Sequence, residues 1–236
     1  MMNQPDYTEQ TPAVQDYLGA LYRLEYYLDR PNERVTTSQL AEWLDVRPAS
    51  VTAMLQKMAA AAPALIEYHK NRGARLTAEG QQAALRVVRS HRLLELYLHE
   101  NLGYEWHEVH EEADRLEHVV SEAMLARIAE ALGHPTQDPH GHAIPAADLT
   151  LDAPPTLLLS ELGAGQSAVV RHVGDDDADM LRRFDSIGLR PGVVVTVTGR
   201  DYDGARLALA IDGRPPVELN LTEIAHVHVT DAGFAE

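Results

Sequence analysis

The spacing of apolar residues changes once along the chain, close to Leu157. Before that point, apolar residues recur every three or four positions, which is typical of amphipathic helices. After it, short β-branched runs alternate with Gly, Asp and Pro turns, which is typical of short strands. We therefore predict a mainly α chain that ends in a small β barrel of about five strands, interrupted by a helix over 177–187.

The first part of the chain predicts a winged helix-turn-helix. A helix over 12–29 is followed by a short helix capped by Thr37 or Ser38, a tight turn, and a second helix that begins at Pro48. Strands over 65–68 and 75–77 then flank a basic tip, H-K-N-R-G. This order is typical of DNA binding. The candidate contacts to bases and phosphates are Arg47, Ala49, Ser50, Thr52, Lys57, Lys70 and Arg72.

The charge distribution favours a confined DNA-binding surface. The formal net charge is -16, which argues against general affinity for nucleic acid. Between Arg30 and Glu79, however, seven basic residues outnumber five acidic ones. Local basicity within an acidic chain indicates that phosphate contacts are restricted to this window.

The segment V-H-E-E-A-D-R-L-E-H-V-V-S, residues 109–121, is predicted to be one unbroken helix. Imidazole and carboxylate groups stack on one face of that helix, within reach of a single cation. These side chains are His110, Asp114, Glu117 and His118. The same spacing also fits a solvated polar surface, so this segment alone leaves both interpretations open.

A long helix predicted over 78–100 carries a second such pair, His91 and Glu95, four residues apart on one face. The helices between Ala78 and Leu132 have more apolar surface than a monomer of this size needs, which indicates a dimerisation region, although such surface also fits an ordinary core. Gly133 ends them, and a His-rich loop leads into a Pro-containing linker.

The chain contains no cysteine. This excludes disulfides, thiolate metal sites and Cys nucleophiles, and it fits a reducing compartment. No apolar run approaches the roughly 18 residues needed to span a bilayer, and the N-terminus does not resemble a signal peptide. We therefore expect a cytoplasmic protein without membrane contact, in which oxygen and nitrogen atoms bind any metal.

Four segments resemble the diphtheria toxin repressor family of metal-dependent transcriptional regulators, which includes the manganese transport regulators. They are D-Y-L-G-A-L-Y-R-L, R-P-A-S-V-T-A-M-L-Q-K-M, H-R-L-L-E and V-H-E-E-A-D-R-L-E-H. The segment L-S-E-L-G-A-G-Q-S-A-V-V, with a later S-I-G-L-R-P-G, resembles the FeoA-type, SH3-like barrel that ends many members. The resemblance implies a winged helix-turn-helix domain over 1–77, a helical metal-binding and dimerisation domain over 78–145, a linker over 146–156 and an SH3-like domain over 157–236.

The resemblance implies a primary metal site formed by Asp16, Asp114, Glu117 and His118. Iron-responsive members carry Met and Cys where this chain has Asp16 and Asp114, so the donors here are mostly hard oxygens, which suit manganese better. Gly19 stands where the manganese branch is expected to carry a Glu, which argues against that branch's binuclear site. Iron is the main alternative effector, and zinc, cadmium and cobalt are expected to substitute in vitro.

The resemblance also implies an ancillary site formed by His91, Glu95 and His110 with an acid from the C-terminal barrel. Asp175 is the preferred acid, with Asp176 and Asp177 as alternatives. Asp138 and His140 in the His-rich loop lie where some relatives have ligands, although such a loop also fits an ordinary polar surface.

The resemblance implies a homodimeric repressor that binds a palindromic operator of metal-homeostasis genes when a divalent metal is bound. A cation shared between the first helix and residues 114–118 would tie the DNA-binding part to the dimerisation part. A metal-dependent hydrolase is a weaker interpretation, because H-E-V-H at 107–110 is one residue short of the required spacing. A metal-storage protein would need neither the second helix of the helix-turn-helix nor the basic hairpin that forms the wing. We therefore expect a DNA-binding regulator and not an enzyme.

Overall fold

A computed structural model describes residues 10–28, 33–201 and 204–231. The chain divides into two compact units. The first unit contains Met1–Ser90, Glu117–Val120 and Pro145–Thr150, and the second contains His91–Leu116, Ser121–Ile144 and Leu151–Glu236. Within the described ranges, no helix has both the length and the apolar character needed to cross a membrane.

The first unit contains the predicted winged helix-turn-helix. Helices α1 (Pro12–Leu28), α2 (Thr37–Trp43) and α3 (Pro48–Ala59) precede the antiparallel strands β1 (Ile66–His69) and β2 (Gly73–Leu76). The predicted last residue of α1, Asp29, lies outside the described residues, as does part of the turn that follows it. The cap of α2 is Thr36 and not Thr37 or Ser38, because the side chains of Thr36 and Gln39 each accept a hydrogen bond from the other's backbone N–H.

The apolar core of the first unit joins α1 to α2 and α3. Leu18 and Leu21 of α1 are fully buried together with Leu40 of α2 and Leu55 of α3. Burial of one such side chain contributes about 1.5–3 kcal/mol. Apolar packing therefore fixes the position of α1 relative to α3.

The middle of the chain forms α4 (Ala78–Leu102), α5 (Val109–Leu116) and α6 (Glu122–Ala131). The prediction of one helix over 109–121 is wrong, because α5 ends at Leu116 and residues 117–119 form a turn. Ser121 begins α6 by accepting a hydrogen bond from the backbone N–H of Met124, which is the role of an N-cap. Apolar spacing continues across this break and does not reveal it.

The second unit ends in a six-stranded antiparallel sheet with the strand order β3-β8-β4-β5-β6-β7. Helix α7 (Ala178–Ile187) follows β4 and buries Leu181 and Phe184 against the sheet. About five strands were predicted, and the two-residue strand β3 was missed because it is too short to show alternation. The strands are β3 (Leu157–Leu158), β4 (Ser167–His172), β5 (Val194–Arg200), β6 (Arg206–Ile211), β7 (Val217–Asn220) and β8 (His228–Asp231).

Candidate metal centres and DNA-binding surface

The predicted DNA contacts lie on α3 and on the β1–β2 hairpin of the first unit. The hydroxyl of Thr52 donates a hydrogen bond of 3.0 Å to the carbonyl of Pro48, so this side chain offers its methyl group and its oxygen lone pairs to a partner. The remaining α3 candidates are exposed at its N-cap, in its first turn and in its last turn: Arg47, Ala49, Ser50 and Lys57.

The tip of the hairpin carries Lys70 and Arg72, both exposed. Below the tip, the carboxylate of Glu67 accepts hydrogen bonds of 2.9 Å from Arg34 and from Arg75. These bonds hold the pKa of Glu67 below its ordinary value and brace the two strands against each other. The hairpin therefore holds two positively charged side chains at its tip, and the Glu67 ion pairs stabilise the strands below them.

The first candidate metal centre lies in the first unit and consists of Asp16, Glu117 and His118. One ligand atom from each lies within 4.8 Å of the other two. The Nε2 atom of His118 is 2.8 Å from Oδ1 of Asp16 and 3.6 Å from Oε1 of Glu117. Asp16 is on α1, whereas the other two residues lie in the turn after α5. The turn, and not a continuous helix face, brings them together.

Gln15 belongs to this cluster, although nothing in the sequence singled it out. Its side-chain carbonyl accepts a hydrogen bond of 2.7 Å from Nδ1 of His118. When Nδ1 donates to Gln15, Nε2 is the nitrogen left to bind a cation, and it faces Asp16. No short-range sequence signal could reveal this pair, because only the fold brings His118 to α1.

Asp114, predicted as a ligand of the primary site, lies in the second unit. Its Oδ1 is 3.1 Å from Nδ1 of His91, and its Oδ2 is 3.7 Å from Nε2 of His110. These are the ring nitrogens opposite to those that face Glu95. A carboxylate that contacts the far ring nitrogen of a ligand histidine orients that ring, so within the second unit Asp114 is placed to orient His91 and His110.

The second candidate metal centre lies in the second unit and contains the predicted ancillary residues. Oε1 of Glu95 is 2.9 Å from Nε2 of His91 and 3.2 Å from Nδ1 of His110, and these two ring nitrogens are 3.1 Å apart. Oδ2 of Asp175 is 3.9 Å from the same nitrogen of His110. Of the alternative acids, Asp177 instead caps α7 by accepting a hydrogen bond from a backbone N–H. The three predicted ancillary residues and the preferred acid are therefore brought together.

A loop over 138–142 adds further ligand atoms beside this centre. Oδ1 of Asp138 accepts hydrogen bonds from the backbone N–H groups of His140 and His142, at 2.8 and 3.0 Å. Gly141 has a φ of 89°, and a Cβ at this position would lie 2.0 Å from the carbonyl oxygen of Arg171. The close backbone approach that this glycine permits holds both imidazoles at the cluster.

The imidazole of His140 has a defined orientation. Its Nε2 donates a hydrogen bond of 2.8 Å to the carbonyl of Trp106, and the two rings stack at 5.6 Å. Its Nδ1 faces Oε2 of Glu95 at 3.7 Å. Sequence reasoning had singled out Asp138 and His140 but missed His142, whose only sequence signal is the H-G-H repeat.

The carboxylates and imidazoles of the buried cluster shift each other's pKa values. Burial alone would raise the pKa of Glu95, but the charges of His91 and His140 and a hydrogen bond from His110 hold it well below its ordinary value. Burial alone would lower the pKa of His140, but Glu95 and two further carboxylates raise it to about 9. Since metal ligands must be deprotonated, a cation that binds His140 displaces a proton.

The buried polar atoms of the cluster fit a divalent cation. Four of them have no hydrogen-bond partner among the residues that the structure describes: Oε2 of Glu95, Oδ2 of Asp138, Nδ1 of His140 and Nδ1 of His142. Buried polar atoms in proteins are almost always paired, and an exception calls for an explanation such as an ion. Carboxylate oxygens and imidazole nitrogens are also suitable donors for first-row divalent metals.

Comparison with protein families gives three matches along the chain. Residues 9–74 match the iron dependent repressor N-terminal DNA binding domain, and residues 77–146 match the iron dependent repressor metal binding and dimerisation domain. Residues 157–231 match the FeoA domain. The matches follow the order of the winged helix-turn-helix, the middle helices and the sheet.

Individual relatives are similar over most of their length. The iron-dependent repressor IdeR of Mycobacterium tuberculosis is 32% identical over 232 residues, which are 92% of this chain and 96% of that protein. The IdeR of Mycobacterium leprae is 35% identical over 196 residues, which are 77% of this chain and 81% of that protein. A solved manganese-dependent transcriptional repressor in complex with manganese is 35% identical, with a TM-score of 0.85 over 92% of this chain and 99% of the other. The structure of ScaR with bound Zn2+ is 31% identical, with a TM-score of 0.78 over the same shares.

Proposed function

The chain belongs to the iron-dependent repressor family of metal-responsive, DNA-binding transcriptional regulators, and within that family we propose that manganese is its effector. The observation that carries this proposal is the donor set of the first centre, which contains the carboxylates of Asp16 and Glu117 and the imidazole of His118. Oxygen-rich sites suit manganese, whereas sulfur donors favour softer ions. The chain has no cysteine that could supply a thiolate.

Iron is the second candidate effector. The mycobacterial relatives are named as iron-dependent, whereas the solved relative with a TM-score of 0.85 is named as manganese-dependent. Relatives have also been solved with Zn2+ and Cd2+, so we expect these ions to bind in vitro. Intrinsic affinity does not decide between the candidates, because the divalent series favours zinc and copper over both manganese and iron.

The proposed mechanism is a shift between conformations and not catalysis. A cation bound by Asp16, Glu117 and His118 would supply the positive charge that joins α1 to the turn after α5. Asp16 contributes its carboxylate from α1, and Gln15 keeps Nε2 of His118 directed at that carboxylate. Because α1 shares its core with α2 and α3, fixing α1 also restricts the recognition helix. By linkage, DNA must then raise metal affinity by the same factor as metal raises DNA affinity.

DNA and a second copy of this chain are the partners of this regulator. We further propose that the operator is palindromic, because a two-fold dimer places two identical recognition helices on successive major-groove faces, roughly 34–36 Å apart. A dimer whose recognition helices depart from this spacing loses affinity. The metal-bound and metal-free dimers would differ in the fraction of molecules whose two recognition helices have this spacing.

The proposal is tested by binding of metal-stripped protein to a pool of random duplexes at one fixed salt concentration, with no metal, with Mn2+ and with Fe2+ under anaerobic conditions. We expect Mn2+ to select a palindromic duplex that the metal-free protein does not retain. Selection by Fe2+ alone at matched free concentrations would overturn the assignment of manganese. Uptake of metal without any selection of DNA would contradict metal control of DNA binding in this chain.

A further inference from the structure

The β1–β2 hairpin, which is the wing of the winged helix-turn-helix, leaves the outer edge of β2 to be paired by other parts of the chain. Thr77 donates its backbone N–H to the carbonyl of Leu65 at 3.1 Å, so the alternation of an antiparallel pair directs the N–H of Leu76 away from β1. The N–H and carbonyl of Ala74 point the same way, and each bonds to Val35 at 2.9 Å. This pairing is an isolated bridge and does not extend to Leu76. The N–H of Leu76 therefore needs an acceptor from elsewhere in the chain.

Glu25 of α1 supplies that acceptor. Its Oε1 lies 2.8 Å from the backbone nitrogen of Leu76, a residue 51 positions further along the chain. Both residues are half-buried, so leaving this N–H without a protein partner would cost free energy. The bond ties the second half of α1 to the last residue of β2.

The same helix carries the first metal centre on its other side. Nine residues separate Asp16 from Glu25, which is two and a half helical turns, so the two side chains lie on opposite faces of α1 and roughly 14 Å apart along its axis. Leu18 and Leu21, which lie between them in sequence, are fully buried in a core that also contains Ala74 of β2. A close-packed helix transmits displacement along its length. A restraint applied at Asp16 is therefore felt at Glu25.

Two other supports of the wing do not involve α1. Arg34 donates hydrogen bonds to the backbone carbonyl of Glu67 at 2.8 Å and to its carboxylate at 2.9 Å. Val35 forms the bridge to Ala74. Both supports come from the segment before α2. The bond from Leu76 to Glu25 thus differs from them, because it makes the position of the wing depend on the position of α1.

We propose that Glu25 is a positioning residue through which the first metal centre acts on the wing. Metal that holds α1 at Asp16 would also hold the end of β2, and with it the two positively charged side chains of the tip, Lys70 and Arg72. The inference rests on the proposed function in one respect, that a divalent metal binds at the first centre, and not on which metal it is. The alternative is that metal acts on α3 alone, while Arg34 and Val35 suffice to hold the wing.

Hydrogen exchange of the full-length protein, with and without saturating Mn2+, tests the proposal by mass spectrometry with residue-level fragmentation. We expect Mn2+ to slow exchange in β1 and β2 of the parent and of Glu25→Gln, whose side-chain carbonyl still accepts from Leu76. In Glu25→Leu, which fills similar space without an acceptor, Mn2+ should slow exchange in α3 but not in the wing. Loss of the bond should also speed exchange at Leu76 about tenfold. Asp16→Ala should remove both effects of Mn2+, and Glu79→Leu, the same change at an exposed position on α4, should behave as the parent.

A parent protein in which Mn2+ slows exchange in α3 but not in the wing would overturn the inference, and this result needs no substitution. Equal slowing of the wing in folded Glu25→Leu protein and in the parent would overturn the role of Glu25 and assign the coupling to apolar packing. Circular dichroism and thermal unfolding confirm that each variant is folded. The assay contains no DNA, so wing protection without selection of a duplex would support this inference and contradict the proposed function, whereas the reverse result would do the opposite.

A second measurement asks whether the position of the wing matters for DNA binding. With Mn2+ bound, Arg72→Ala should weaken binding of the selected duplex less in the Glu25→Leu background than in the parent, because a wing that is no longer held makes its phosphate contact less often. The Glu79→Leu background should leave the effect of Arg72→Ala unchanged. Full additivity of Glu25→Leu and Arg72→Ala would overturn a role of Glu25 in placing the tip of the wing on DNA.

Discussion

Nε2 of His118 lies 2.8 Å from Oδ1 of Asp16, although one residue is on the opening helix and the other follows α5. This contact joins the recognition-helix core to a segment far along the chain. We predict that Asp16→Ala removes metal-stimulated operator binding and leaves the fold intact, because the Asp16 side chain is 45% exposed and contributes little to the core. Gel-shift titration with Mn2+ measures the effect, and Glu111→Ala, an exposed acid on α5, is the control. Unchanged stimulation in Asp16→Ala protein would contradict the role of the first centre.

Gln15 is predicted to control the metal affinity of the same centre without being a ligand. Its carbonyl holds Nδ1 of His118 at 2.7 Å and so directs Nε2 towards Asp16. Loss of an outer-shell partner of a ligand histidine weakens metal binding by about 10–100-fold. We expect that loss for Gln15→Leu in Mn2+ titrations, with DNA affinity restored at saturating Mn2+. Gln15→Glu keeps an acceptor at this position and should retain most of the affinity, whereas equal losses in both variants would indicate a purely structural role.

Asp114 gives a prediction that separates two assignments. Sequence resemblance places it in the primary site with Asp16, whereas its observed contacts in the second unit are to His91 and His110. If it orients these histidines, Asp114→Asn in an Asp16→Ala background should weaken Mn2+ binding to the second centre by about tenfold or more. Isothermal titration measures this affinity. Unchanged binding in that background would support the assignment of Asp114 to the primary site.

Helix positions could be predicted from the sequence where apolar periodicity is long and uninterrupted, as in α1 and α4. The break between α5 and α6 could not, because Leu116 and Val120 continue the apolar spacing across the turn and only the Ser121 cap marks it. Of the first-centre residues that the fold brings together, Glu117 and His118 were singled out by helical spacing and Asp16 by the family resemblance. Gln15 matches no such pattern, since its partner His118 lies far away in sequence. His142 was missed although its partner Asp138 is only four residues away, because nothing local distinguishes it from an ordinary polar loop residue and its other partner, Asp175, is distant. Local periodicity contains no information about those partners.

Lys70 and Arg72 are predicted to contact phosphates and not bases. Both are exposed at the tip of a hairpin braced by Glu67. Each phosphate contact that is lost should reduce the slope of log K against log salt by about 0.9, and affinity should fall similarly on all sequences. We expect this for Lys70→Ala and for Arg72→Ala in fluorescence-anisotropy titrations at several salt concentrations. Arg182→Ala, an exposed change on α7, should leave the slope unchanged, and a loss confined to one operator base would argue for base contact instead.

Glu25 is predicted to make the stability of the DNA-binding part depend on pH. Burial raises its pKa, although the backbone N–H of Leu76 donates a hydrogen bond of 2.8 Å to its carboxylate. The folded state therefore keeps a proton on Glu25 to higher pH than the unfolded chain does. Between the unfolded value of 4.5 and the raised folded value, the folded state binds more protons, so stability falls as pH rises through this window.

Glu25→Gln should remove this dependence, because the Gln side chain keeps an acceptor oxygen for the N–H of Leu76 and carries no charge. We expect the variant to match the parent below the window and to exceed it in stability above the window, by at most about 1 kcal/mol because Glu25 is only partly buried. Urea unfolding of metal-free protein between pH 4 and pH 8, followed by the fluorescence of Trp43 in a Trp106→Phe background, measures the difference in free energy. A parent whose stability rose relative to the variant with increasing pH would show that the attraction of Glu25 to nearby arginines outweighs its burial.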